Sequence, residues 1–242
     1  RFKTYTPILS QSGNIKYNDI NIPTQDDIKR ITTNIFPDDC TNPYNPPPNF
    51  ELDFDKKETR CVFRGSATGC GITPETNMRL KAALMSYEFE KSGEFKNDDD
   101  KDILDLKFAK INPGDFPEDF IVGEDNKINT EMQSKYKYIL NIDGHVKAFR
   151  LGNEFRMGSV VLIVKSPYTL WFMDKLEDEV NCIFINEDLS NLQEKLKWCI
   201  KNDEKCKNIA KAGMQFYERY LTKEATFNYF SELISKLSKI RK

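Results

Sequence analysis

The sequence predicts an α/β protein built on a doubly wound parallel sheet, with a helical C-terminal tail. Three observations carry this. Short apolar strands alternate with helix-period segments after residue 51, a proline-rich stretch sets that region off from what precedes it, and from Asp188 the apolar residues recur only at helical spacing. The division expected is 1–50 as the end of an N-terminal lobe and its connector, 51–221 as the sheet domain, and 222–242 as a closing helix.

Residues 1–36 contain a short strand and a helix, for which Thr24-Gln-Asp-Asp27 supplies cap-type side chains before Ile28 and Ile31. Pro37, Pro43 and Pro46-Pro-Pro48, mixed with Asn and Asp, sustain neither helix nor central strand, so residues 37–50 read as a stiff connector. The alternation follows: a strand at Arg60–Arg64, a helix over Glu75–Tyr87, and a strand at Leu104–Ile111. After a polar loop come a strand at Tyr138–Ile142, a helix around Ala148–Phe155 and a strand at Ser159–Lys165. Then Leu189, Leu192, Leu196, Cys199 and Ile200 fall on one helical face, and Ile209, Ala212, Met214 and Phe216 more loosely on another. Asn202-Asp203 breaks these two helices. Thr222 starts a last one carrying Phe227, Tyr229, Phe230, Leu233, Ile234 and Leu237, whose basic end, 236–242, suits the helix macrodipole.

Composition narrows the partners. Lys+Arg of 36 against Asp+Glu of 38 gives a net charge of −2, which removes the general attraction to nucleic acid or an anionic membrane. The longest apolar run, Val160–Val164, is far too short to span a bilayer, and the N-terminus lacks a signal-like segment, so a soluble chain without a transmembrane segment is expected. The start at Arg1 reads as a processed protein or an excised fragment. Six cysteines at irregular spacing, with no CxxC and one histidine, form no zinc signature; most are expected to be buried thiols. Richness in Asn, Lys, Ile and Asp suggests an AT-rich genome, of a virus or a protist.

Two stretches carry candidate chemistry. Cys61-Val-Phe-Arg-Gly-Ser-Ala-Thr-Gly69 runs an apolar strand into a turn with Arg64, Gly65, Ser66, Thr68 and Gly69, and Thr73-Pro74-Glu75 is placed to cap the next helix. A guanidinium fork, two hydroxyls and closely approaching amides suit a diphosphate, with Arg64 the residue chosen; otherwise Arg64 makes an ion pair and the glycines form an ordinary turn. The second stretch repeats the logic at another strand end, through Asn141, Asp143, Gly144, His145, Val146, Lys147, Ala148, Phe149 and Arg150. On parallel strands both turns lie at one carboxyl edge, where open α/β sheets bind ligands. His145, the sole histidine, has a general-base reading beside that of an exposed turn residue. Asp98-Asp-Asp100 reads as a metal-binding DxD or a solvated loop, and Asp26 and Asp27 as acid/base groups or helix N-terminal acids.

Phe63-Arg-Gly-Ser66, Tyr136-Lys-Tyr138, Asn141-Ile-Asp-Gly144, Phe149-Arg-Leu151, Gly158-Ser-Val-Val161 and Asp188-Leu-Ser-Asn-Leu192 through Asn202-Asp203 resemble, in order and spacing, the motifs of glycosyltransferase family 90, from about Asp19 to about Leu221. The family includes protein O-glucosyltransferases and capsule-associated xylosyltransferases. The resemblance implies a GT-B architecture and a UDP-sugar donor, with no cofactor and no metal. It also implies inverting transfer of glucose or xylose to a protein or glycan hydroxyl. Arg64 would neutralise the pyrophosphate with help from Ser66 and Thr68, and the turn from Gly144 would hold nucleotide with Arg150 on the leaving phosphate. The stretch Asp19–Thr24 resembles the acceptor-side wall, which brings in Pro23 and Asp26. The family's acidic base falls before Arg1 in this register, so no catalytic residue is assigned, and a nucleotide- or partner-binding module of the same fold is the other reading. Glu179–Ile185 lacks the histidine-tyrosine strand found in many members. The resemblance implies the lumen of the endoplasmic reticulum or Golgi for a typical eukaryotic member and leaves the host cytoplasm open for a viral one.

Overall fold

The computed structural model describes residues 7–32, 53–110 and 126–240; the proline-rich connector and Cys40 lie outside them. The first segment forms three two-residue strands, β1 (Leu9–Ser10), β2 (Gly13–Asn14) and β3 (Ile20–Asn21), and helix α1 (Gln25–Thr32). The central sheet begins with β4 (Glu58–Ser66), after a 3₁₀ turn at Phe54–Lys56. Helix α2 (Met78–Ser92), β5 (Leu104–Lys110), a helical turn α3 (Thr130–Gln133) and β6 (Tyr136–Asn141) follow. Next come α4 (Leu151–Glu154) with a 3₁₀ turn at Phe155–Met157, β7 (Val160–Val164), β8 (Tyr168–Thr169) and β9 (Ile183–Ile185). The chain ends in α5 (Leu192–Lys201), α6 (Asp203–Tyr220) and α7 (Lys223–Ile240).

The five long strands are parallel throughout and ordered β5-β4-β6-β7-β9. Numbered within the sheet this is 2-1-3-4-5, the flavodoxin-like doubly wound order, whose topological switch point lies between β4 and β6. The predicted α/β class and the four strands expected in the sheet are therefore present, and β9 adds a fifth at one edge. Parallel strands covered on both faces read as continuous apolar runs, which is why Val160-Val-Leu-Ile-Val164 is buried at every position. Alternate residues serve opposite layers. Cys61, Phe63, Leu106, Tyr138, Leu140 and Leu162 pack with Leu196, Cys199, Cys206 and Ile209, whereas Val161 and Ile163 pack with Leu151, Phe155, Phe172 and Phe216. Each such side chain stabilises the fold by about 1.5–3 kcal/mol relative to exposure.

Two helices depart from expectation. The first begins at Met78, because Asn77 Oδ1 accepts from the amides of Arg79 and Leu80; Thr73-Pro74-Glu75 forms a preceding turn and caps nothing. The helix expected over Ala148–Phe155 shrinks to α4, since residues 143–150 are tied into a turn and Gly158, at φ +62°, ends the following 3₁₀ turn. Asn202 ends α5 and Thr222 caps α7 as expected. On α6 the inner positions are Cys206, Ile209, Ala210, Gly213 and Phe216, while Met214 faces outward. Cys61, Cys182, Cys199 and Cys206 are buried free thiols and Cys70 is exposed.

The first segment is seated on the sheet domain by specific polar contacts. Thr24 Oγ1 accepts from the Asp27 amide at 3.1 Å and Asp27 Oδ2 accepts from the Thr24 amide at 2.9 Å, a reciprocal capping box. The same carboxylate accepts from Trp171 Nε1 at 3.0 Å and pairs with Arg30 at 2.7 Å, and Arg30 Nη2 donates to the Leu221 carbonyl. Asp27 is thus a buried structural anchor, and Asp26, half-buried, lies beside it in the first turn. Strand β2 pairs with β8, and Tyr229 Oη of α7 donates to the Asn21 carbonyl. Helix α4 fits beneath α1 only because residue 152 is glycine: a Cβ there would stand 2.6 Å from Arg30 Nη1 and 3.0 Å from Asp27 Oδ1. Gly152→Ala is expected to cost about 1–3 kcal/mol, read by chemical denaturation.

Candidate anion site at the sheet switch point

Both predicted turns leave the carboxyl edge at the switch point, the first from β4 and the second from β6. They meet closely. A Cβ at Gly144 would lie 2.6 Å from Thr68 Oγ1, and one at Gly65 would lie 2.9 Å from the Phe63 ring and 3.1 Å from Arg150 Nη1. These glycines are needed for the approach of two loops, the condition under which a phosphate can also approach backbone.

The arginine at the centre of this notch is Arg79, on the first turn of α2. Its Nε and Nη2 donate to the Ile142 carbonyl at 3.2 and 2.9 Å, and its Nη1 donates to the Ser66 carbonyl at 2.9 Å and to Thr68 Oγ1 at 2.7 Å. One guanidinium therefore clasps the ends of β4 and β6. Among the described residues no carboxylate lies within ion-pair distance of it. Burial, then repulsion from Arg150, pulls its pKa down to about 10. Arg150 stands across the Phe63 ring, with guanidinium carbons 4.9 Å (Arg150) and 5.6 Å (Arg79) from the ring centroid. Arg150 Nε donates to Glu154 Oε1 at 2.8 Å, and among the described residues neither Nη of Arg150 makes a hydrogen bond. Arg79 is thus buried on carbonyls and one hydroxyl with Arg150 as a like-charged neighbour, an arrangement in which buried positive charge lacks a carboxylate of its own among the described residues.

Arg64 is not part of it, which corrects the expectation for that residue. In a strand successive side chains point to opposite faces, so Phe63 faces the notch side and Arg64 the other. There Arg64 Nη2 bonds Asp105 Oδ1 at 2.8 Å, Nη1 the carbonyls of Asp105 and Phe63, and Nε the Asn126 carbonyl. Every nitrogen is occupied, Nη2 in a buried ion pair and the others on carbonyls, the ordinary alternative for this arginine. Tyr136 Oη donates to the second Asp105 oxygen at 2.6 Å. Burial raises the Asp105 pKa, but Arg64, Tyr136 and Arg60 pull it the other way and leave it below the usual carboxylate value.

The remaining predicted residues divide. Thr68 faces the notch; Ser66 contributes its carbonyl to Arg79 while its side chain is exposed, and Gly69 packs closely on Asn77. Asp143 is the hub of the second turn: Oδ1 accepts from the Ala148 amide at 3.1 Å and pairs with Lys147 Nζ at 3.2 Å, and Oδ2 accepts from Ser166 Oγ at 2.5 Å. Lys147 and Ala148 are buried, Phe149 is half-buried in the second layer, and His145 and Val146 are exposed. Asp98, Asp99 and Asp100 occupy an exposed turn, where Lys96 pairs with Asp100 at 3.0 Å. Arg79 was missed in the sequence, although a cation in a helix's first turn opposes the macrodipole and signals a tertiary reason for being there.

In doubly wound α/β proteins ligands bind in the crevice at the switch point, the place at which Arg79 and Arg150 stand here. The model of "Glycosyl transferase family 90" matches residues 2–242, and the chain belongs to that family. Uncharacterized protein 179R of Invertebrate iridescent virus 6 is 34% identical over 96% of this chain and 23% of its own length. Human protein O-glucosyltransferase 1 is 30% identical over 76% of this chain and 43% of its own length. The chain thus spans less than half of these relatives. Among solved structures, Anabaena Alr3699/HepE in complex with UDP aligns at a TM-score of 0.42 and 12% identity, over 93% of this chain and 56% of that one.

Among the described residues no helix is long and apolar enough to cross a membrane, and no cluster of three His, Cys, Asp or Glu side chains could hold a metal ion.

Proposed function

We propose that this chain is the nucleotide-sugar-binding part of a UDP-sugar-dependent, inverting glycosyltransferase of GT-B architecture. In this reading residues 1–50 belong to the acceptor-side lobe, with Pro23 and Asp26 toward the cleft, residues 51–221 form the donor lobe, and 222–242 the closing helix. The donor is a UDP-hexose or UDP-pentose, glucose or xylose, and the acceptor a protein or glycan hydroxyl. The observation that carries the reading is the Arg79–Arg150 pair flanking Phe63 at one notch, where among the described residues Glu154 is the one carboxylate bonded to either, through Arg150.

The chemistry follows from where charge develops. As the acceptor oxygen bonds the anomeric carbon from one side, the carbon–phosphate-oxygen bond breaks on the other, and the electron pair leaves on the UDP β-phosphate. Fixed guanidinium charge at that position stabilises the leaving group without reorganisation. Arg150 with its open Nη groups takes the phosphate oxygens, and Arg79 supplies charge behind it while fixing Thr68 and both loops. The acceptor proton passes to a base outside the residues assigned here, and metal independence rests on these arginines.

Calorimetric titration tests the reading. UDP is expected to bind the full-length protein equally well with a chelator present, and inorganic pyrophosphate more weakly. No heat of UDP binding would sink it. UDP binding without release of UDP from UDP-sugar, with any hydroxyl acceptor, would favour the non-catalytic binding module, which the chain's short share of its relatives keeps in view.

A further inference from the structure

Glu154 is a buried charge for which the reading above has no task. It ends α4 with its side chain 1% exposed, a place where a carboxylate is costly unless fully bonded. Among the described residues its carboxylate has two partners: Oε1 accepts from Arg150 Nε and Oε2 from Asn141 Nδ2, each at 2.8 Å. Because the carboxylate takes Nε, the Nη groups are what Arg150 has left, and Nη1 stands beside Gly65 at the notch.

We propose that Glu154 is a positioning residue for the anion site: gripping Arg150 at Nε, it holds the guanidinium so that its Nη groups face the diphosphate. The proposal rests on the notch being that diphosphate's site. An arginine held before binding loses little rotamer freedom when the ligand arrives, and its fork recognises phosphate only when aimed. Electrostatics works against this benefit, since a carboxylate repels the same diphosphate. A mere counter-ion and a positioning residue therefore give opposite signs on removal.

Two substitutions separate them. Glu154→Ala removes charge and grip together. Glu154→Gln removes the charge but keeps an oxygen for Arg150 Nε, and Asn141, whose buried Oδ1 has no hydrogen-bond partner among the described residues, can turn its amide to accept from the new nitrogen. Glu154→Ala is expected to weaken UDP binding by about 10- to 100-fold, and Glu154→Gln to bind as the parent does or more tightly. Undiminished binding by a folded Glu154→Ala protein overturns the proposal; Glu154→Leu replaces it if the alanine variant does not fold.

A ligand-free readout comes from the Arg150 Nε–Hε resonance, assigned by its loss in Arg150→Lys. It is expected to exchange slowly with solvent in the parent and in Glu154→Gln, and rapidly in Glu154→Ala. Fast exchange in the parent overturns the proposal. If the parent binds neither UDP nor pyrophosphate, the reading of the notch fails, while this resonance still shows whether Glu154 holds Arg150.

Discussion

Arg150→Ala is expected to lower UDP affinity by about 10- to 100-fold, the range of one or two hydrogen bonds to a charged group. The effect arises because Arg150 is the notch arginine whose Nη groups make no hydrogen bond among the described residues, whereas Arg79 is bonded through every nitrogen to Ile142, Ser66 and Thr68. The substitution also leaves Glu154 buried with Asn141 as its one hydrogen-bond partner among the described residues, so stability falls by about 1–3 kcal/mol. Binding is therefore compared by calorimetry well below the unfolding transition. Arg150→Lys should recover part of the affinity, since an ammonium keeps the charge and loses the fork. Unchanged affinity in Arg150→Ala would remove this arginine from the site.

Arg64→Ala is expected to do the reverse. It breaks a buried pair with Asp105, side chains 8% and 6% exposed, and leaves that carboxylate with Tyr136 and, at 3.7 Å, Arg60. Removing one partner of such a pair costs about 3–5 kcal/mol. Denaturant unfolding should show that loss, and the protein that remains folded should bind UDP as before. The same pair sets an acid limit. The Asp105 pKa is held below its ordinary value, so its contribution is complete above the unfolded carboxylate pKa, about 3.9, and is lost as pH falls through the lower folded value. Stability should drop below about pH 4 in the parent and less steeply in Asp105→Asn, which denaturation across pH 2–6 measures.

The contrast between these arginines marks what could be read from the chain. The parallel strands were legible because buried strands announce themselves as apolar runs, and the caps Thr24, Asn202 and Thr222 because their side chains bond amides or carbonyls a few residues away. The meeting of two glycine turns at one sheet edge was legible too, since parallel strands end together. The start of α2 was misplaced by three residues: Pro74 and Glu75 look like a first turn, but Asn77 offers the oxygen that bonds the first amides.

Local sequence determined the α/β class, the sheet strands, the terminal helices and the edge at which a ligand would be held. Tertiary structure alone decided which arginine faces that edge. Phe63 and Arg64 are neighbours on one strand and point to opposite layers, and Asp105, forty-one residues away, claims the arginine. Arg79 reaches the notch because α2 packs its first turn between the ends of β4 and β6. Glu154 meets Arg150 and Asn141 because α4 lies under α1 and beside the end of β6. Side-chain charge is written in the sequence, but its compensation is a property of neighbours, and neighbours are set by the fold.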